Sequence, residues 1–316
     1  MGLFRKLKKE NNIQFDTYLA MIIEEMYPTG YNIELSDLIA EAEDLLKCLN
    51  SFLPLDFKTS CKFEEKIEER FIFHSNAIEH NLISREDITK VLKENKVIPG
   101  VSLDNHLEAI NHIETLRYMK QCIAEKRELN EEILLQMHYL FLKSLNTPRA
   151  GMYRRKNITI TGSEYIPPSY DILREKMRQY FEFYNKAKTK LHPLILAAEM
   201  HGFLCIVHPF IDANGIMARL VSNYILIQSG YPLINISGNR ESKIEYYNAL
   251  EDFHADKERL YKFLTFCVVK SISYYLKSII PLSSDSKGTY FYEQVGLKMS
   301  NKKKEELLRK MKLVKF

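Results

Sequence analysis

The sequence predicts an all-α, mainly helical protein with one short β-hairpin, and three observations carry that expectation. Apolar residues recur at three-to-four spacing along most of the chain. Glycine and proline, 11 and 10 in 316 residues, fall mostly between the periodic segments, as in MYPTG and SGYPL. One stretch breaks the period: RRKNITITGSEYIPPS (154–169) alternates Ile158, Thr159, Ile160 and Thr161, turns at Gly162 and ends at Pro167-Pro168, the pattern of a hairpin.

Taken in order, the helical segments lie around 14–27, 34–50, 62–80, 84–95, 102–126, 130–145, 169–187, 193–207, 213–229, 240–252 and 257–280. The segment PLILAAEMHGFLCIV (193–207) is apolar nearly all round, so it is expected to be buried on every side. It must stop before Pro209, because the residue preceding a proline is pushed out of the helical region, and His208 is therefore held in a loop. The next helix opens near Asp212, runs to Ser229 and closes on Gly230. The basic run NKKKEELLRKMKLVK near the end reads as a solvated final helix.

Composition bounds the function. With 46% apolar residues the chain can bury a sizeable core. A balance of 45 basic against 41 acidic residues argues against nucleic acid or an anionic membrane as the main partner. Five scattered cysteines (Cys48, Cys61, Cys122, Cys205, Cys267), without a CxxC, read as reduced thiols. The start MGLFRKLKK is a basic amphipathic segment: Lys6 stands where a myristoylation site wants Ser or Thr, and no signal peptide or membrane-length apolar run is seen. The expectation is a soluble, cytoplasmic protein.

The chemistry is concentrated in HPFIDANGIMARL (208–220). A helix start points unpaired backbone N–H groups outward, and Gly215 leaves room there for a ligand. Arg219 lies one turn in, where a guanidinium can reach an oxyanion at the helix mouth. Asp212 at the rim could hold a divalent cation. A base, a metal ligand, an anion nest and an arginine are the parts of a phosphoryl- or nucleotidyl-transfer site. Taken singly, these residues also suit a bland role: Asp or Asn before a helix is an ordinary cap, and His-Pro is an ordinary turn. Capping, however, needs neither the histidine nor a buried arginine.

HPFIDANGIMAR resembles the signature of the Fic (Fido) family, His-x-Phe-x-Asp/Glu-Gly-Asn-Gly-Arg-x-x-Arg. TITGSEYIPPS resembles that family's flap, and SGYPLINI with ESKIEYYNALED resembles its adenine pocket. The resemblance implies a Fic-like helical core with a short β-hairpin flap. It also implies transfer of AMP from ATP to a Ser, Thr or Tyr hydroxyl of a target protein. It assigns the general base to His208, Mg²⁺ to Asp212, and the phosphates to Ala213, Asn214, Gly215 and Arg219. The flap would be Thr161, Gly162, Ser163 and Glu164, and the base pocket Tyr246, Tyr247, Leu250 and His254. In FHSNAIEHN (73–81), Ser75 and Glu79 match the family's inhibitory helix, whose glutamate pairs with the last motif arginine, here Arg219. His80 stands where the family has Gly or Asn. The implied organisation is an N-terminal helical region (1–128) with the inhibitory helix at about 62–80, a Fic domain (129–272) and a C-terminal extension (273–316). Pairing with a second copy of the chain stays open.

Two departures fall inside the motif. Ala213 replaces a glycine, and Ile216 replaces the first arginine. Losing one charge-assisted contact to a transition state costs on the order of 3 kcal/mol, about a hundredfold in rate. A weak or donor-altered transferase and a catalytically silent interaction module on the same fold are therefore the two alternatives.

Overall fold

The computed structural model describes residues 34–279 except 56, 82 and 95. The helix expected at 14–27, the basic start and the C-terminal basic helix lie outside the described residues. Among the described residues ten α-helices follow one another: α1 (Leu35–Asn50), α2 (Phe57–Ile78), α3 (Arg85–Glu94), α4 (Leu103–Ala124), α5 (Glu131–Leu142), α6 (Leu173–Ala187), α7 (Pro193–Val207), α8 (Asn214–Gln228), α9 (Arg240–Asp252) and α10 (Glu258–Ile279). Single 3₁₀ turns sit at Thr147–Arg149 and Tyr170–Ile172. The fold is mainly helical, as the periodicity implies.

The chain divides into two units, Met1–Phe63 with Val269–Phe316, and Glu64–Val268. In the first, α1 buries one stripe, Leu38, Ala42, Leu45, Cys48 and Leu49, at the spacing of an amphipathic helix. Phe63 meets Tyr275 edge to face at 5.1 Å. In the second, α7 and α8 pack most extensively on each other, with α6 against α7 and α4 and α5 against α8. This order follows from composition: α7 and α8 are buried nearly all round, so they must be wrapped by helices that are apolar on one side only.

Local signals set the ends. Ser102, Asn130 and Asn239 each cap a helix by accepting a backbone N–H of its first turn. Pro193 occupies the first turn of α7, where its missing N–H costs nothing. Gly230, at φ 87°, ends α8 in the left-handed region.

The expected hairpin is corrected. Residues 154–169 turn where foreseen, with Gly162 at φ 80° and Ser163 N–H donating to Ile160 O at 3.2 Å. Among the described residues, though, the two arms form no strand pair. Side chains instead bind backbone groups flanking the turn. Arg154 donates to Lys156 O at 3.0 Å and Pro168 O at 2.5 Å. Asn157 Oδ1 accepts from Tyr170 N–H, and Glu251 Oε1 accepts from Glu164 N–H. β-Branched alternation favours extended backbone but does not secure a partner for it.

Candidate active site

The loop carrying His208 is built by its neighbours. His208 ends α7 at φ 48°, ψ 60°, its N–H still donating to Leu204 O at 2.9 Å. Arg154, itself buried, straps this end: its Nε donates to His208 O at 2.9 Å and its own backbone N–H donates to Pro209 O at 2.9 Å. Asn214 closes the loop from the other side, accepting from Phe210 N–H at 2.9 Å and donating to Phe210 O at 3.0 Å. The ring of His138 stacks on Phe210 at 3.7 Å, and its Nδ1 accepts from Gly151 N–H at 3.0 Å.

This construction fixes the tautomer of His208. Its Nδ1 lies 3.1 Å from Cys205 O, and a carbonyl can only accept, so Nδ1 carries the proton and Nε2 keeps its lone pair. Burial lowers its pKa from the ordinary histidine value, which keeps the imidazole neutral near pH 7. A neutral imidazole with a bare Nε2 is the form that a general base requires.

At the mouth of α8, Ala213 takes the cap position in the left-handed region, at φ 61°. Asp212 is exposed, and its Oδ1 accepts from Ala213 N–H at 2.7 Å. No group of three or more metal-ligating side chains exists among the described residues. One carboxylate at a rim still fits Mg²⁺ of the kind that takes most of its ligands from water and substrate phosphates. The side chain of Asn214 faces the loop, so what it can offer a phosphate is backbone N–H. Ile216 is 3% exposed: its aliphatic chain sits in the core.

Arg219, 3% exposed, is engaged from outside its helix by α2 and α9. Its Nε donates to Ser75 Oγ at 2.9 Å, and Nη2 donates to Ser75 O at 3.2 Å and Glu79 Oε1 at 2.7 Å. Nη1 stands 3.5 Å from the Tyr246 hydroxyl. Burial alone would lower the arginine's pKa, but the Glu79 carboxylate outweighs it and the net shift is upward. Gly215 makes the ion pair sterically possible, because a Cβ there would fall 2.6 Å from Glu79 Oε1.

Glu79 is not on the helix but one residue beyond it. Glu79 N–H and Asn81 N–H both donate to Asn76 O, and His80 N–H donates to Ala77 O, a Schellman ending. His80 occupies its left-handed position at φ 66°. That is the position where glycine or asparagine would be unstrained. From α9, Lys243 Nζ donates to Ala77 O and the Tyr247 hydroxyl to Ile78 O, both at 3.1 Å. The last carbonyls of α2 are thus all taken, and the backbone that carries Glu79 is fixed in place.

The expected base pocket divides. Tyr247, Leu250 and His254 are exposed or half-buried on or just past α9, but Tyr246 is 1% exposed and turned inward. The flap lies over this helix: Glu251 accepts from Ser163 Oγ at 2.5 Å and from Glu164 N–H at 2.9 Å. Tyr165 and His254 rings are 5.6 Å apart. Thr161 and Gly162 form the tip of its turn. Sequence reasoning missed Arg154, His138, Glu251, Lys243 and His201. No local pattern marks them, since each acts on backbone or rings distant in the chain.

Residues 128–226 match the family model described as Fic/DOC family. The chain is 31% identical over 219 residues to the Protein adenylyltransferase Fic of Nematostella vectensis, covering 68% of this chain and 50% of that protein. It is 28% identical over 206 residues to the protein of the same name from Drosophila willistoni, covering 65% and 41%. The chain therefore spans about half or less of the length of these curated relatives. Among solved structures it is similar to Fic-1 (aa134–508) of C. elegans, with a TM-score of 0.69 and 24% identity over 76% of this chain and 72% of that one. It is also similar to a Fic domain containing signaling protein of Bacteroides thetaiotaomicron, with a TM-score of 0.68 and 25% identity over 76% and 96%.

Proposed function

We propose that this chain, a member of the Fic/DOC family, is a protein adenylyltransferase that moves AMP from ATP to a side-chain hydroxyl of a target protein and is held back by Glu79. The observation that supports it best is the pairing of a base-ready His208 with an arginine at a helix mouth. His208 Nε2 takes the proton of the target hydroxyl as its oxygen attacks the α-phosphorus. The bond from that phosphorus to the bridging oxygen breaks in line, and pyrophosphate leaves with the electron pair. Backbone N–H groups of Asn214 and Gly215 receive phosphate oxygens, and Arg219 receives the γ-phosphate. Asp212 would hold Mg²⁺, which when bound neutralises charge on the phosphates. The flap turn Thr161–Glu164 covers the nucleotide and lies where an extended target chain could align beside it as a strand would. Tyr247, Leu250 and His254 border the base.

In the observed arrangement Glu79 occupies Arg219, so the γ-phosphate has no arginine to meet. Inhibition follows from that competition. Residues 129–272 are the catalytic domain in this reading, with the inhibitory segment contributed by α2, in a cytoplasmic protein.

Ala213 and Ile216 support a second reading, a silent module that binds partners through the same fold. Incubating the purified protein and its Glu79→Gly variant with Mg²⁺ and each nucleoside triphosphate, then weighing the intact chains, separates the two. A mass gain of one nucleoside monophosphate is expected with ATP. If no triphosphate adds mass and none binds in calorimetry, the silent module is correct.

A further inference from the structure

We infer that Tyr246 and His201 are positioning residues that hold Arg219 in place for the polyphosphate once Glu79 withdraws; the inference rests on the nucleotidyl-transfer reading above. Three of the four partners given to the guanidinium come from one short segment: Ser75 Oγ, Ser75 O and Glu79 Oε1. When a phosphate displaces Glu79, the Ser75 bonds to Nε and Nη2 stay with buried α2, and the side-chain partner of Nη1 is the Tyr246 hydroxyl.

That hydroxyl ends a buried chain whose directions are fixed by what each atom can do. Ser222 Oγ has two carbonyl neighbours, Ala218 O at 3.0 Å and Ala197 O at 3.3 Å, and its single proton goes to one of them. Toward His201 Nδ1, at 2.8 Å, Ser222 can then only accept, so Nδ1 carries the imidazole proton. Nε2 is left bare and accepts the Tyr246 O–H at 2.9 Å. The phenol oxygen therefore shows only lone pairs to Arg219, the polarity a cation needs. His201 is 0% exposed; burial, with the positive charge of Arg219, pushes its pKa down to about 3, so it stays neutral and the order is not reversed by protonation.

The chain is also mechanically placed. Ser222 is one turn beyond Arg219 on α8, His201 is two turns before His208 on α7, and Tyr246 is on α9. The Tyr246 ring is held by Phe263, stacked at 5.8 Å, and by His201, edge to face at 5.6 Å. The link to Nη1 is slack at 3.5 Å while Glu79 draws Nη2 to 2.7 Å. Release of Glu79 lets it shorten.

Calorimetric titration of ATP and AMP in the Glu79→Gly background tests this. Tyr246→Phe is expected to weaken ATP about tenfold and to change AMP, which has no γ-phosphate, less than twofold. His201→Gln, whose amide oxygen can take the phenol proton, is expected to stay within threefold of the parent for ATP, whereas His201→Leu behaves as Tyr246→Phe does. Equal losses for ATP and AMP, or no loss of either in folded variants, overturn the positioning role. If Tyr246→Phe does not fold, the His201 pair decides alone: equal ATP affinity in Gln and Leu variants overturns it. If the Glu79→Gly parent binds neither nucleotide, the transferase reading itself fails and this assignment falls with it.

Discussion

Arg219 Nη2 and Glu79 Oε1 meet at 2.7 Å although 140 residues of chain separate them, and the arginine is 3% exposed where the glutamate side chain is 36% exposed. The pair is asymmetric. Arg219 cannot leave, because it is built into α8, whereas Glu79 sits on a turn at the surface and can be displaced by a ligand that brings its own negative charge.

Glu79→Gly is expected to raise self-modification with ATP at least tenfold. The same change leaves a buried guanidinium short of its counter-charge, which costs on the order of 3 kcal/mol. The melting temperature should therefore fall, and ATP should restore part of it. An unchanged rate with every nucleotide would show that Glu79 is not an inhibitor.

Ile216→Arg looks like a repair of the motif, but the position is in the core. Replacing a buried isoleucine by an arginine that must be desolvated is expected to lower stability by about 2–4 kcal/mol. Denaturant titration beside ATP calorimetry checks it. A variant that melts like the parent and binds ATP more tightly would place residue 216 on the nucleotide instead.

Two side chains are strained for the sake of turns. Ala213→Gly and His80→Gly each remove a Cβ from a left-handed residue, at φ 61° and 66°. Each should add about 1 kcal/mol of stability, and the two should add nearly independently. A loss of stability from either would mean that its side chain makes a contact worth more than the strain.

The pH response follows from buried histidines. Burial and the charge of Arg219 lower the pKa of His112 and His201 to about 3; burial above all lowers His74 and His138 to about 4. The unfolded chain takes up these protons first, near pH 6.5, so the stabilisation is complete above 6.5 and is lost as pH falls toward 4 and then 3. For the fully buried His112 and His201 the slope is about 1.4 kcal/mol per pH unit each. Transfer should likewise lose rate on an acid limb below 6.5, as His208 gains its proton. His208→Ala should abolish transfer and leave ATP affinity within about threefold. Transfer at the parent rate in that variant would remove His208 from the mechanism.

Glu251→Ala is expected to release the flap. Hydrogen exchange at Glu164 and Tyr165 should rise by more than tenfold, with α9 itself unchanged. Protection that persists would mean the flap is held by something other than this carboxylate.

Much of this was legible beforehand, for reasons that are local. Pro209 forces the end of α7, so the loop placement of His208 needs no tertiary information. The full apolar cycle of 193–207 foretells its burial. Tyr246 and Tyr247 show where local information stops. They are neighbours on one helix, about 100° apart, and nothing in IEYYNAL says which turns inward. The packing of α7 decides it, through His201. The hairpin failed for a related reason: extended backbone was readable from Ile158–Thr161, but a strand partner for it is a tertiary matter, and the flanking backbone is held by Arg154, Asn157 and Glu251 instead. Ile216 stood out as a chemical substitution, while its burial depended on helices far along the chain.

Because Glu79 is part of the same polypeptide as Arg219, dilution cannot separate them. A tethered group acts at an effective concentration that for short flexible links is on the order of millimolar. Here the end of α2 is pinned by Lys243 and Tyr247, so the carboxylate is presented more steadily than a flexible link would allow. Under the proposed function, nucleotide must outcompete a rival whose level never changes, so the ATP concentration for half-saturation is raised by a constant factor. Whatever loosens those two pins, a ligand or a modification on Lys243, lowers that concentration without touching a catalytic atom.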